Sequence, residues 1–297
     1  MSIALLFLDG VGIGSIKNEL NPFTQFQSKY FTLFSDGGNS RCAYDGIIIP
    51  TNPFLDVEGL PQSATGQTAI FTGINASKEM GRHVSGFPTP TLRKIIAEHS
   101  IMLQLKKIGL KSTFANGYTP QYFERSQQFW SASTWVMKAA EVPFRWLDDI
   151  NNDKAVSPDL TNEFIVQRGL GNVQIRTAKK AGEIIGTLLE ENDFVLYEHP
   201  FSDKIGHEKN MEAAIDDIKK LDGFLAGLLS STDLSKHTIL LTSDHGNIED
   251  LSIDTHTKNN VPTIVWGKQR EYLVSKISSL LDITPTIVSS FQFSVSG

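Results

Sequence analysis

The stretch SDKIGHE (202–208) sets Asp203 and His207 four residues apart. On a helical turn that step brings both side chains to one side, so a carboxylate oxygen and an imidazole nitrogen can meet at metal-ligand reach. Taken alone, the pattern is equally a capping aspartate beside an unrelated histidine. TSDHGN (242–247) puts Asp244 next to His245 at the end of an apolar run. Neighbours on a regular strand face opposite ways, so both serve one site only where the strand has ended, a turn that Gly246 permits. THTKNNVP (255–262) carries His256, by itself an ordinary loop histidine, and LFLDGVGIG carries Asp9 at the end of a buried run. Glycines at 10, 12 and 14 do not make GxGxxG and no P-loop lysine follows, which argues against a nucleotide loop. Together these stretches offer three carboxylates and three imidazoles, a donor set suited to two divalent ions such as Mn²⁺ or Zn²⁺. One further stretch, PQSATGQTAIFTG (61–73), holds Ser63 and Thr65 just before a helix-like run. Either residue is a plain loop hydroxyl unless something ionises it.

The elements that must position these groups are legible in outline. Short continuous apolar runs at 3–8, 112–116, 193–199, 238–243 and 262–267 read as central strands of a parallel sheet covered on both faces. Helical patterns lie between them at about 91–107, 176–191, 209–230 and 270–281; in 209–230 the apolar positions Met211, Ile215, Ile218, Leu221, Leu225 and Leu228 recur at three- and four-residue steps. The alternation predicts one doubly wound α/β sandwich with a mostly parallel sheet. In such sheets the crevice beyond the strand C-termini is the usual site, and Asp9, Asp203 and Asp244 each follow a strand.

Composition bounds the partners. The chain has 297 residues, 40% of them hydrophobic, with a net charge of −6, a balance that argues against nucleic acid. The single Cys42 cannot close an internal disulfide, which suits a reducing compartment. The opening MSIALLFLDG lacks a basic leader and reads as a buried strand, and no run approaches the ~18 apolar residues of a membrane span. The expectation is a soluble, cytoplasmic protein without membrane or nucleic-acid partners.

The order of these motifs resembles the alkaline phosphatase superfamily, and within it the branch of cofactor-independent phosphoglycerate mutase and phosphopentomutase. LDGVGIG is similar to the opening motif of phosphopentomutases; SATGQ fits the S/T-x-x-G-H pattern around the nucleophile, with Gln67 where histidine is usual. SDKIGHE, TSDHGNIED, THTKNNVP and LLDITPTIV (280–288) resemble the later motifs, so the likeness covers the core from end to end. The resemblance implies one metal held by Asp9, Asp244, His245 and the nucleophile's hydroxyl, and another by Asp203, His207 and His256. It implies Ser63 as nucleophile, with Thr65 the alternative and the expected cap of a helix starting near Gln67. Gln67 puts one supporting contact in doubt. Two divalent ions set against three carboxylates leave a net charge of about +1, which favours a serine alkoxide and an incoming phosphate, and ions ~3.5–4 Å apart can clamp both attacking and phosphoryl oxygens. The helix after the serine adds backbone donors at its N-terminus.

The mutases of that branch carry a large inserted cap. Here 139 residues separate Ser63 from Asp203, and once core elements are set aside about 56 remain, roughly 117–172. That is near the lower edge of a domain, typically ~50–250 residues, so we expect a single domain, 1–297, with a small helical insert. The insert is rich in aromatics, among them Tyr118, Tyr122, Phe123, Phe129, Trp130, Trp135, Phe144 and Trp146, which either pack it onto the core or line a pocket or dimer contact. Arg82, His83 and Arg125 are further phosphate contacts to weigh against structural roles. Three functions stay open: a two-metal phosphohydrolase acting on a small phosphomonoester through phosphoserine, a phosphomutase or phosphotransferase, and a degenerate metal-binding protein. The short insert favours the first.

Overall fold

The computed structural model describes residues 1–32, 34–37 and 40–293. Seven strands form one sheet: β1 (Ile3–Leu8), β2 (Arg41–Cys42), β3 (Gly46–Thr51), β4 (Ser112–Phe114), β5 (Phe194–His199), β6 (Thr238–Ser243) and β7 (Val261–Gly267). Their order is β2-β3-β7-β6-β1-β5-β4. The β6-β1-β5-β4 part is parallel, while β7 runs antiparallel to β6 and β3 antiparallel to β7. The sheet is therefore mostly parallel, as expected, but the run at 262–267 is not a parallel strand. A continuous apolar run reports cover on both faces and carries no information on direction. The expected helix 91–107 is two, Pro90–His99 and Ile101–Lys107, because Ser100 leaves the helical region with ψ 144. The expected helix 270–281 stops at Lys276, and a separate 3-10 turn follows at Leu280–Asp282.

Alternate residues of the central strands feed two cores. Ala4, Leu6 and Leu8 of β1, with Val195, Tyr197, Ile239 and Leu241, pack under the Ala178–Glu191 and Met211–Ser231 helices. Ile3, Leu5 and Phe7, with Phe194, Leu196 and Leu240, face the Ser63–Thr72, Ile101–Lys107, Ala132–Ala140 and Ile283–Phe293 helices. A period-2 strand with no polar face needs helices on both sides, and this is the three-layer solution.

Residues 117–172 divide between these layers and a small structure of their own. The Ala132–Ala140 helix joins the second core through Ala132, Val136, Met137 and Ala140, whereas Ile150, Ala155, Ile165 and Val173 form a separate cluster. The aromatics knit the junction. Tyr118 lies 4.9 Å from Tyr122, 5.1 Å from Phe123 and 5.2 Å from Phe144, ring centre to ring centre, and Phe123 lies 5.2 Å from Trp130. Among the described residues no helix is long and apolar enough to cross a membrane.

Candidate metal centre

Register assembles the site. Leu8 pairs with both His199 and Ser243, so β1, β5 and β6 end level with one another. The next residues, Asp9 and Asp244, thus emerge side by side at the C-terminal edge, where ligands gather in open α/β sheets. Asp203 arrives from the Phe201–Glu208 helix that follows β5. It comes so close to the backbone after β1 that a side chain at Gly10 would meet the Asp203 Cβ at 2.7 Å, and Gly10 itself holds a φ of +72°. His256 comes from the β6–β7 connection, and Ser63 opens the Ser63–Thr72 helix, whose Gly66 lets it settle against Asp244.

The ligand atoms gather in two overlapping groups. Asp9, Asp244 and His245 form one, and Asp203, His245 and His256 the other, each with its atoms within 4.8 Å of one another. His245 is shared: its Nε2 is 3.0 Å from Ser63 Oγ, 3.4 Å from Asp9 Oδ1 and 3.6 Å from Asp244 Oδ2, and its Nδ1 is 4.0 Å from Asp203 Oδ1. Its ring stacks on that of His256 at 3.6 Å. His256 Nδ1 donates to the Pro61 carbonyl at 2.8 Å, which fixes the tautomer and leaves Nε2 with its lone pair, 3.6 Å from Asp203 Oδ1. His207 sits at the rim with its side chain 42% exposed, Nε2 3.5 Å from Asp203 Oδ1. All seven residues singled out in the sequence therefore lie at one edge, six packed together and His207 outside them.

Charge at the centre is unbalanced without a cation. Burial, then the charges of Asp244 and Asp203, push the Asp9 carboxyl up to about 8, against a hydrogen bond with His245. Burial also raises Asp244. Burial would depress His245, but the charges of Asp244, Asp9 and Asp203 and the Asp9 hydrogen bond lift it to about 10. His256 falls to about 4 through burial and the charge of the stacked His245. The carboxylates thus demand positive charge, and the two stacked imidazoles cannot both supply it as protons. Asp9 Oδ1 is buried, with His245 Nε2 at 3.4 Å and no well-aligned hydrogen bond. Three carboxylates, two imidazoles and an orphaned oxygen fit divalent ions.

Three residues support the ligands: Gln67, already singled out in the sequence, and Asn247 and Glu249, which were not foreseen. Gln67 Nε2 donates to Asp9 Oδ2 at 3.3 Å and to Asp244 Oδ2 at 3.2 Å. Asn247 Nδ2 donates to Asp203 Oδ1 at 2.7 Å. Glu249, fully buried, accepts from the amides of Gly12 and Asn247 and from Asn259. Asn247 and Glu249 lie inside the TSDHGNIED motif and were within reach of inspection there; their partners are not adjacent in the chain.

The structure corrects the reading of Thr65. The helix starts at Ser63, four residues before Gln67, so Thr65 lies inside the first turn and cannot cap it. Its hydroxyl donates to the Gln62 carbonyl at 3.2 Å and accepts from the Val84 amide at 3.2 Å. The Thr65 and Gly66 amides are committed to Val84 and Gln62, which leaves those of Ser63 and Ala64 at the open end. His83 is held by Ser77 Oγ and the Val57 carbonyl, a structural role.

Beside the centre opens a cavity of about 440 Å³. Asp9, Ser63 and Asp203 form its floor, and residues of the 116–125 and 158–170 segments form its walls; Arg125 reaches it, Arg82 and His83 do not. Glu198 lies in the wall, accepting from Ser133 and pushed up to about 7 chiefly by burial and further by Asp9. Just behind it, His199 is wholly buried. Its Nδ1 donates to the Pro158 carbonyl at 2.9 Å and its Nε2 to Asp217 at 2.9 Å.

With this geometry in hand, comparison with known proteins is informative. Residues 166–295 match the Metalloenzyme superfamily. A 2,3-bisphosphoglycerate-independent phosphoglycerate mutase from Sulfurimonas denitrificans is 31% identical over 117 residues, 38% of this chain and 24% of that protein. Its counterpart from Gloeothece citriformis is 36% identical over 104 residues, 30% and 20% respectively. The chain thus matches a quarter or less of the length of these relatives. Among solved structures, the PH0037 protein from Pyrococcus horikoshii superposes with a TM-score of 0.57 and 13% identity over 97% of this chain and 96% of that one. Alkaline phosphatase from the Antarctic bacterium TAB5 does so with 0.50 and 15% over 98% and 97%. Residues 166–295 thus resemble the Metalloenzyme superfamily, part of the chain resembles the cofactor-independent phosphoglycerate mutases in sequence, and the fold is alkaline phosphatase-like.

Proposed function

From the geometry of this site and these likenesses we propose that the chain is an alkaline phosphatase superfamily metalloenzyme, a two-metal phosphohydrolase that releases phosphate from a small phosphomonoester through a phosphoserine at Ser63. The observation that carries this reading is the position of Ser63 Oγ, 3.0 Å from His245 Nε2, at an open helix N-terminus and on the floor of a cavity shared with Asp9 and Asp203. Asp9, Asp244, His245 and the Ser63 hydroxyl would hold one ion, and Asp203, His207 and His256 the other. Bound divalent ions supply the positive charge that favours the serine alkoxide and the phosphoryl oxygens.

The chain's own groups do the rest. The Ser63 and Ala64 amides, without a hydrogen-bond acceptor among the described residues, would face an anion from the favourable end of the helix dipole. Gln67 keeps Asp9 and Asp244 oriented, and Asn247 does the same for Asp203. Ser63 Oγ forms the new O–P bond as the ester oxygen departs with a proton; water then breaks the phosphoserine, returning the hydroxyl and releasing inorganic phosphate. The hydrolase reading is supported over the mutase reading by the 117–172 segment, one helix of which is bound into the main core rather than standing apart as a cap. The test uses chelated protein resupplied with Mn²⁺ or Zn²⁺. It should release phosphate from 4-nitrophenyl phosphate in proportion to enzyme. Isomerisation of a phosphoglycerate or pentose phosphate without phosphate release would overturn the hydrolase reading.

A further inference from the structure

We propose that the alcohol part of the substrate is a bulky, ring-bearing apolar group seated in the cavity above Ser63, and not a glycerate or a sugar. This rests on the phosphoester reading above and adds to it the substrate class. The cavity's walls are built from Phe87, Tyr118, Tyr122, Phe164, Ile165 and Leu170. Two of these carry hydroxyls, but neither offers them inward. Tyr118 Oη is 2.9 Å from Thr134 Oγ1, and Tyr122 Oη is 2.8 Å from the same atom while accepting from the Ser131 amide at 2.9 Å. Both hydroxyls are thus spent on a hydroxyl cluster behind the wall, leaving the rings to line the space.

The buried polar groups of the wall are committed in the same way, while half-buried Thr119 and exposed Gln121 keep their side chains available. Asn116 exchanges hydrogen bonds with the backbone of Glu198, at 2.7 and 2.9 Å, and Glu198 is engaged by Ser133. A sugar or glycerate would lose its water here and find few partners beyond Thr119 and Gln121, which disfavours each polar group left unpaired. Charge points the same way. Among the described residues Arg125 is the single cation lining the cavity, and it is exposed, stacked over the Tyr122 ring at 4.7 Å. Away from the metal centre, a substrate carboxylate would meet no buried cationic side chain among the described residues and would face Glu198. At about 440 Å³ the space is in the range of pockets that enclose drug-sized ligands, far more than a three-carbon acid fills. Rings prefer offset and edge-on contact with other rings, which this wall supplies.

Binding decides the matter independently of turnover. The Mn²⁺-loaded protein is titrated calorimetrically with 2-naphthylmethylphosphonate, methylphosphonate and 3-phosphoglycerate. The naphthyl compound should bind about tenfold or more tighter than either of the others. Leu170→Trp, which fills the cavity, should remove that advantage and leave methylphosphonate within about twofold of its wild-type affinity; Phe87→Ala, at a 43% exposed position, should remove part of it. Equal affinities for the three probes, or tighter binding of 3-phosphoglycerate, would overturn the inference. Failure of the hydrolase reading looks different: no phosphate released from any ester, with the binding order above intact.

Discussion

Asp217→Asn tests how the cavity wall is held. Both nitrogens of His199 donate, Nδ1 to the Pro158 carbonyl and Nε2 to Asp217, so the ring is an imidazolium buried against a carboxylate. Burial alone would depress the imidazole, but the charge of Asp217, its hydrogen bond and the Pro158 carbonyl outweigh burial and raise it. The side chains are 0% and 6% exposed, so solvent screens the pair little. Removing one partner of such a pair costs roughly 3–5 kcal/mol, because a buried charge loses its counterion. At roughly 2–4 °C per kcal/mol for a large domain, the melting temperature should fall on the order of 10 °C. The sign with pH follows from the raised pKa. Stability from His199 is fully present below its unfolded value of ~6.5 and is lost as pH rises through the higher folded value. The deficit of Asp217→Asn against wild type should therefore be larger at pH 6 than at pH 9. Melting curves of both proteins at the two pH values measure it, and the difference cancels what the metal centre contributes. A deficit that is constant, or that grows toward pH 9, would refute the imidazolium assignment.

Three further outcomes are expected. Chelation should lower the melting temperature by several degrees and Mn²⁺ or Zn²⁺ should restore it, since an ion bound only by the folded state at 100–1,000 times its dissociation constant adds ~3–4 kcal/mol; an unchanged curve after verified metal removal contradicts the centre. Ser63→Ala should abolish turnover with metal binding largely kept, while Thr65→Ala should cost ~1 kcal/mol of stability by leaving the half-buried Val84 amide without its acceptor, and keep the chemistry; peptide mass spectrometry after trapping a slow substrate locates the phosphate. Glu249→Ala should strand the Gly12 and Asn247 amides and weaken metal affinity about 10–100-fold through Asp203, read by titration with Mn²⁺.

What the sequence made legible was what is local. The runs at 3–8, 193–199 and 238–243 mark β1, β5 and β6 to within a residue, because strands covered on both faces are dominated by consecutive apolar residues. The ligands at their ends followed from the same cue. The antiparallel sense of β7 did not, since direction is set by what the strand pairs with. β3, GIIIPT, went unread because Pro50 demotes such a run, yet it pairs with β7 at the side of the sheet where only the two-residue β2 lies beyond it. The helix start at Ser63 was missed because Gln62 caps it with no side-chain hydrogen bond, so the usual signal is absent. Pairs such as His199 with Asp217, 18 residues apart, have no signature in spacing at all.

Gln67 shows how a departure from a motif can be read once geometry is known. Histidine at that position would bring a titratable ring to two carboxylates, and its charge would depend on pH and on the ions nearby. Glutamine gives a neutral amide whose two protons are always available, and one nitrogen reaches both Asp9 and Asp244 at 3.2–3.3 Å. It therefore orients the two acids without adding charge that would compete with a cation for them. Asp9 retains a buried oxygen that Gln67 does not reach and that has His245 Nε2 at 3.4 Å without a well-aligned hydrogen bond. A centre that had lost its function would have no reason to keep that oxygen exposed to its neighbours' repulsion, since one substitution to an amide would relieve it. The substitution at 67 thus bears on how the acids are steered, and the cluster keeps the unmet demand for positive charge that distinguishes a working metal site from a remnant.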